Sequence, residues 1–178
     1  MSVFMGPELY NVTPLKGFSP TIGKYLTLMD DVRARIIEYV KDLNADQLSW
    51  FANDRCESIG TLLLHIAAVE RSWIGEDIFR KPMGEEWKPA FALRFGMPQI
   101  SGKELTYYLE ILKKTREETK EGLTTLSDAD LTREVTPLDA ESEDNAASRF
   151  TVEWILYHVL EHEAHHKGQI ALMKRVMA

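Results

Sequence analysis

The sequence predicts an all-α fold, a four-helix bundle with a long link between its second and third helices. Three observations predict it. Four segments place apolar residues at three- and four-residue spacing, the mark of amphipathic helices. No segment shows the alternation of a half-buried strand. A chain of 178 residues is long enough for one domain with a sizeable core.

Residues 1–23 read as an extended N-terminal arm, because Pro7, Pro14 and Pro20 interrupt a stretch with little periodicity. Residues 24–178 read as a single four-helix-bundle metal-binding domain. The first helix runs from about Lys24 and carries Tyr25, Leu28, Met29, Val32, Ile36, Tyr39, Val40 and Leu43 on one stripe. The second starts near Ser58, whose hydroxyl suits an N-cap. Its stripe is Ile59, Leu62, Ile66, Val69 and Trp73, and it ends around Phe79 and Arg80, before Pro82. The third begins at Ser101, where Ser101-Gly102-Lys103-Glu104 has the capping-box pattern. Leu105, Leu109, Leu112 and Leu123 continue it. The fourth runs from about Thr151 to the C-terminus.

The connections carry information too. The 81–100 link holds Trp87, Phe91 and Phe95, read first as capping the bundle's end or making a dimer contact, ahead of a lid over a site. The 132–150 stretch holds an acidic run, Asp139 to Asp144. It lacks the glycine and ligand spacing of a calcium loop and reads as a solvated loop. A weak internal repeat relates Leu43-Asn44-Ala45-Asp46-Gln47-Leu48 to Leu126-Ser127-Asp128-Ala129-Asp130-Leu131. It also aligns His65 with His158.

Composition excludes several function classes. Acidic residues number 28 against 21 basic ones, for a net charge of -7. With no Lys/Arg cluster, the chain is not expected to bind nucleic acid. The lone Cys56 forms no internal disulfide and fits a reducing compartment. Met1 to Tyr10 has neither the basic start nor the apolar stretch of a secretory signal. No run approaches the ~18 apolar residues of a membrane span. The expected location is the cytoplasm, and the expected partner is a small molecule.

The histidines carry the chemistry. His158, His162, His165 and His166 lie close together on the fourth helix, and His65 lies on the second. Imidazoles four apart on a helix project from one side and can share a borderline metal. At about 100° per residue, His162 and His166 fall inside the stripe of Ile155, Val159, Ile170, Met173 and Met177. A core imidazole is costly unless its nitrogens have partners, and a shared divalent ion supplies them. His65, at the edge of its own stripe, is the third candidate ligand. Three imidazoles leave open coordination positions, as in reactive sites. His158 and His165 read as rim residues, although His158 and His162 also have ligand-pair spacing. Glu70, Glu76 and Gln169 read first as surface residues, with orientation of a ligand or histidine as the alternative. Cys56 reads as incidental.

His162-Glu163-Ala164-His165-His166 formally matches the H-E-x-x-H pattern of zinc proteases. Only 12 residues follow His166, which leaves almost no room for a third ligand downstream. Glu163 then reads as a surface or supporting carboxylate.

The run from His158 to Ile170, H-V-L-E-H-E-A-H-H-K-G-Q-I, resembles the C-terminal signature of the DinB/YfiT-like family of metal-dependent proteins. Ser58 to Ile66, followed by Glu70 and Trp73, resembles that family's first motif, and Leu43 to Trp50 is similar to its helix-one ending. The resemblance spans about residues 24–178, with Lys167 where arginine is common. It implies a four-helix bundle with a metal triad at His65, His162 and His166, usually loaded with zinc or nickel, and several members are dimers. It also implies chemistry with a low-molecular-weight thiol such as bacillithiol or mycothiol. The expectation is therefore a metal-dependent thiol S-transferase. The alternatives are a metal-dependent hydrolase that activates water, or a non-catalytic metal-binding protein. The nucleophile, the substrate and the ion are left open by the residues themselves.

Overall fold

The computed structural model describes residues 11–138 and 148–177. Among these, four long helices form the bundle: α1 (Pro20–Val40), α3 (Ile59–Glu70), α5 (Leu105–Leu123) and α6 (Val152–Met177). Shorter α2 (Ala45–Ser49) and α4 (Ala92–Phe95) lie in the connections. α1 packs chiefly on α6, and α3 on α5 and α6. The all-α expectation therefore holds. The exception is one short antiparallel ladder, β1 (Glu134–Val135) with β2 (Phe150–Thr151), pairing Glu134 with Thr151. No helix among the described residues is long and apolar enough to cross a membrane.

Several boundaries differ from the sequence reading. α1 begins at Pro20, four residues before the expected start at Lys24, because proline at the first helical position presets φ and needs no N–H partner. Its cap is remote. The Asp128 carboxylate accepts from the Thr21 backbone N–H at 2.9 Å and from the Ser19 hydroxyl at 2.7 Å. The Ser19 hydroxyl bond and these amides hold the Asp128 carboxyl down at about 2. The capping box at Ser101 does not form. Gly102 takes φ 67, a left-handed conformation outside any helix, and α5 starts at Leu105 after Glu104. The acidic run Asp139 to Asp144 lies outside the described residues, as does the start of the arm.

The two related segments of the internal repeat both fold into short capped turns. Asn44 and Gln47 exchange capping bonds at α2. Ser127 and Asp130 do the same at the 3₁₀ turn Asp128–Thr132.

α3 ends by widening. Residues Arg71–Ile78 form a π-helical stretch, closed by Arg80 in the left-handed region at φ 55. At its other end α3 approaches α5 closely. A Cβ on Gly60 would stand 2.4 Å from the Tyr108 hydroxyl, so only glycine fits there.

The centre of the bundle is charged. Each long helix contributes one ionised side chain to a buried quartet: Arg33 from α1, Glu70 from α3, Arg116 from α5 and Glu163 from α6. Arg33 donates to Glu70 at 2.9 Å and, through Nε, to Glu163. Arg116 donates to Glu70 at 2.7 Å and to Glu163 at 2.9 Å. Arg116 also reaches Asp30 at 2.9 Å, and Arg33 donates to the Leu112 carbonyl at 3.0 Å. Glu70 and Glu163 are each 1% exposed, which corrects their reading as surface residues. Apolar clusters lie around the quartet, one including Ile36, Leu63 and Tyr108, the other including Leu26, Ile74 and Leu156.

Burial alone would push the Glu70 carboxyl up, but Arg116 and Arg33 override it and hold it well below the usual carboxylate range. Its folded pKa is thus lower than its unfolded one. The stability it contributes is present above about pH 4.3 and is lost as pH falls below that value. Acid titration followed by circular dichroism should show the bundle losing stability over that range. Glu163→Gln removes one anionic partner from each of two buried guanidinium groups, and should destabilise by about 3 kcal/mol in urea unfolding.

Candidate metal centre

His65 rises from the middle of α3, and His162 and His166 rise one turn apart from α6. The Nε2 atom of His162 lies 3.2 Å from Nε2 of His65 and 3.0 Å from Nε2 of His166. One ring nitrogen from each lies within 4.8 Å of the others. The structure thus brings together the three histidines singled out by the sequence. His158 and His165 stand outside this convergence.

The outer nitrogens decide what the inner ones can do. His65 Nδ1 donates to the Ala90 carbonyl at 3.0 Å. His166 Nδ1 donates to the Gln169 side-chain oxygen at 2.7 Å, and the Gln169 amide donates onward to His165 Nε2 at 3.0 Å. A neutral imidazole carries one hydrogen. With Nδ1 protonated in both rings, Nε2 of His65 and of His166 each aims a lone pair at His162. His162 can satisfy one of them by donating its own hydrogen, and the other pair then meets lone pair to lone pair.

Protonation does not relieve this. Burial, then the neighbouring imidazoles, push His162 down to about 3. Burial also holds His166 down at about 4, against the opposing Gln169 bond, and it lowers His65 as well. The rings are neutral near pH 7, and the group that satisfies all three lone pairs is a cation. Two nitrogens on a tetrahedral zinc ion at about 2.1 Å stand roughly 3.4 Å apart, close to the spacings here. The donor set fits a divalent ion.

The surroundings form a recess. A cavity of about 300 Å³ opens onto His65 and His162 and is walled by Val69, Ser72, Trp73, Phe91, Phe150 and His158. Ser72 and Trp73 come from the π-helical stretch of α3. His158 lies flat on Trp154, with ring centroids 4.9 Å apart and planes 7° apart. Trp154 stacks in turn on Phe150 at 4.5 Å. Phe91 stands edge-on to His65 at 5.1 Å. The 81–100 link therefore does reach the site through Phe91 and Ala90. Of the other two aromatics in the link, Trp87 packs against the core and Phe95 is half exposed.

Sequence reasoning missed the role of Ala90, and it gave orientation of a histidine by Gln169 only as the alternative to a surface residue. A backbone carbonyl in a link leaves no sequence signal. Gln169 carried one, since it stands one turn from both His165 and His166 on the same helix.

A family model described as mycothiol-S-transferase matches residues 25–177. No curated protein matches the chain. Among solved structures, the crystal structure of a conserved protein from Enterococcus faecalis is similar over 85% of this chain and 93% of that one, with a TM-score of 0.62. At 14% identity this likeness bears on the fold alone.

Proposed function

The chain belongs to the mycothiol-S-transferase family, and from that membership we propose that it is a metal-dependent enzyme that joins a low-molecular-weight thiol to a small electrophile. The observation that carries this reading is the convergence of three neutral imidazole nitrogens with their lone pairs turned inward. His65, His162 and His166 would hold one divalent ion, zinc or nickel, since imidazole suits both.

A divalent ion supplies positive charge that lowers the pKa of a thiol, which is mostly protonated near pH 7. The rest of the work falls to this chain's own groups. The Ala90 carbonyl and Gln169 fix the rings of His65 and His166 in the tautomer that offers Nε2. Phe91 and Trp73 line the recess and limit water at the reacting centre. In the transfer, the thiol sulfur bonds to the electrophilic carbon while the bond to the leaving group breaks with its electron pair. The thiol proton passes to solvent. A reducing cytoplasm, where small thiols stay reduced, suits this reaction and the free Cys56.

Elemental analysis of tag-free protein should find about one zinc or nickel ion per chain, lost in His162→Ala and in His166→Ala. A wild-type chain that binds neither ion when offered sinks the reading. In a cobalt-substituted sample a small thiol should shift the visible absorption. Gln169→Ala frees the His166 ring and should weaken zinc binding by about 10-fold or more, with the helical content unchanged. Competition against a chelator of known affinity measures it.

A further inference from the structure

His65 faces the histidine cluster, but Leu64, its neighbour on α3, opens on a different cavity. This one holds about 320 Å³ and is lined from α3, from α5 and from the 3₁₀ turn Glu85–Phe91 of the link. It shares no lining residue with the recess at the histidines. Small-molecule sites span about 300–1,000 Å³, so this cavity suits a small ligand.

Its lining is mixed. Leu64, Trp87, Tyr107 and Ile111 supply aliphatic and aromatic surface. Arg71 and Glu118 satisfy each other at 3.0 Å. That leaves Lys114 on α5 and Glu86 on the turn, both exposed. Among the described residues neither makes an ion pair, whereas the adjacent Lys113 and Glu85 pair with Glu117 and Lys88. A simple anion would meet Glu86 as a like charge, and a simple cation would meet Lys114. A zwitterion answers both, with an ammonium for Glu86, a carboxylate for Lys114 and a ring for Trp87 and Tyr107.

The turn that carries Glu86 and Trp87 ends at the histidines. Ala90 and Phe91 belong to the same seven-residue turn. The Ala90 carbonyl accepts from His65 Nδ1 at 3.0 Å, and Phe91 stands edge-on to the His65 ring at 5.1 Å. Trp87 packs against the buried cluster of Leu64, Ala68 and Ala90. A ligand seated on Trp87 therefore bears on the carbonyl that fixes the His65 tautomer.

We propose that this cavity is a second ligand site, for a free amino acid with an aromatic side chain, and that its occupation is linked to the metal centre through the Glu85–Phe91 turn. The sign of the linkage follows from the tautomer. An ion on Nε2 of His65 needs the hydrogen on Nδ1 and the Ala90 carbonyl in place to hold it. The amino acid orders the same turn, so each ligand lowers the ordering cost of the other. The site stands without the metal reading, and the linkage rests on it.

The test is calorimetric titration of the full chain with L-phenylalanine, N-acetyl-L-phenylalanine, which lacks the ammonium, and L-phenylalaninamide, which lacks the carboxylate. L-phenylalanine should bind, and each derivative should bind roughly fivefold more weakly, the upper end for an exposed ion pair. Lys114→Ala should weaken L-phenylalanine by a similar factor and leave the amide unchanged, and Glu86→Gln should spare the N-acetyl derivative. Both side chains are exposed, so the fold should survive. Saturating L-phenylalanine should then raise zinc affinity roughly fivefold in chelator competition, and zinc should tighten L-phenylalanine by the same factor. Lys114→Ala at the same amino-acid concentration corrects for zinc taken up in free solution. Absence of L-phenylalanine binding, or derivatives that bind as tightly as L-phenylalanine, overturns the site. Binding with unchanged zinc affinity overturns the linkage. Binding by a chain that takes up no zinc upholds the site while sinking the metal reading, so the two ideas fail separately.

Discussion

The bundle is organised around four buried charges. Arg33, Glu70, Arg116 and Glu163 come one from each long helix and neutralise one another in a closed ring. Removing four ionised groups from water is expensive, and well-packed apolar residues of similar volume often do as well or better for stability alone. What apolar contacts lack is direction. Arg116 meets Glu70 in a two-bond fork, and Glu163 turns one oxygen to each arginine, so the helices are constrained in rotation as well as in distance. A helix turned by one residue would bury an unpaired charge.

That constraint reaches the candidate metal centre through the chain itself. Glu163 directly follows His162 and stands three residues before His166. Once Glu163 is locked between Arg33 and Arg116, the rotation of α6 is set and both imidazoles face α3. Glu70 sets α3 in the same way, five residues beyond His65. The rings then need only fine adjustment, which the Ala90 carbonyl and Gln169 provide. Charge fixes the frame, and hydrogen bonds fix the tautomers.

The helices were legible because burial leaves a 3.6-residue rhythm, and His162 and His166 were legible because they interrupt it with polar groups that need partners. The quartet was not. Its members are separated by 37 to 130 residues, so no local pattern shows that they meet. A partial signal existed: Glu163 lies about 60° from His166 around the helix, next to the edge of the apolar stripe. The capping pattern at Ser101 misled because Gly102 serves a tight turn, its N–H bonded to the Ser49 hydroxyl at 3.0 Å. The role of Phe91 was obscured because a link's path over a bundle depends on tertiary packing, which the proline spacing of 81–100 does not encode.

The remote cap on α1 bears on how the chain is made. The first turn of α1 has its amides satisfied by Asp128, which lies 107 residues beyond Thr21. On the ribosome the N-terminal helix emerges early, and its cap arrives only after α5 has been synthesised. Arg33 waits longer still, for Glu163, 130 residues away. Loops of that length must close before these contacts form, which places them late in folding. Until then α1 exposes an apolar stripe and an arginine that lacks one of its two carboxylate partners. The nascent protein is therefore most exposed to aggregation and to chaperones during the synthesis of its second half.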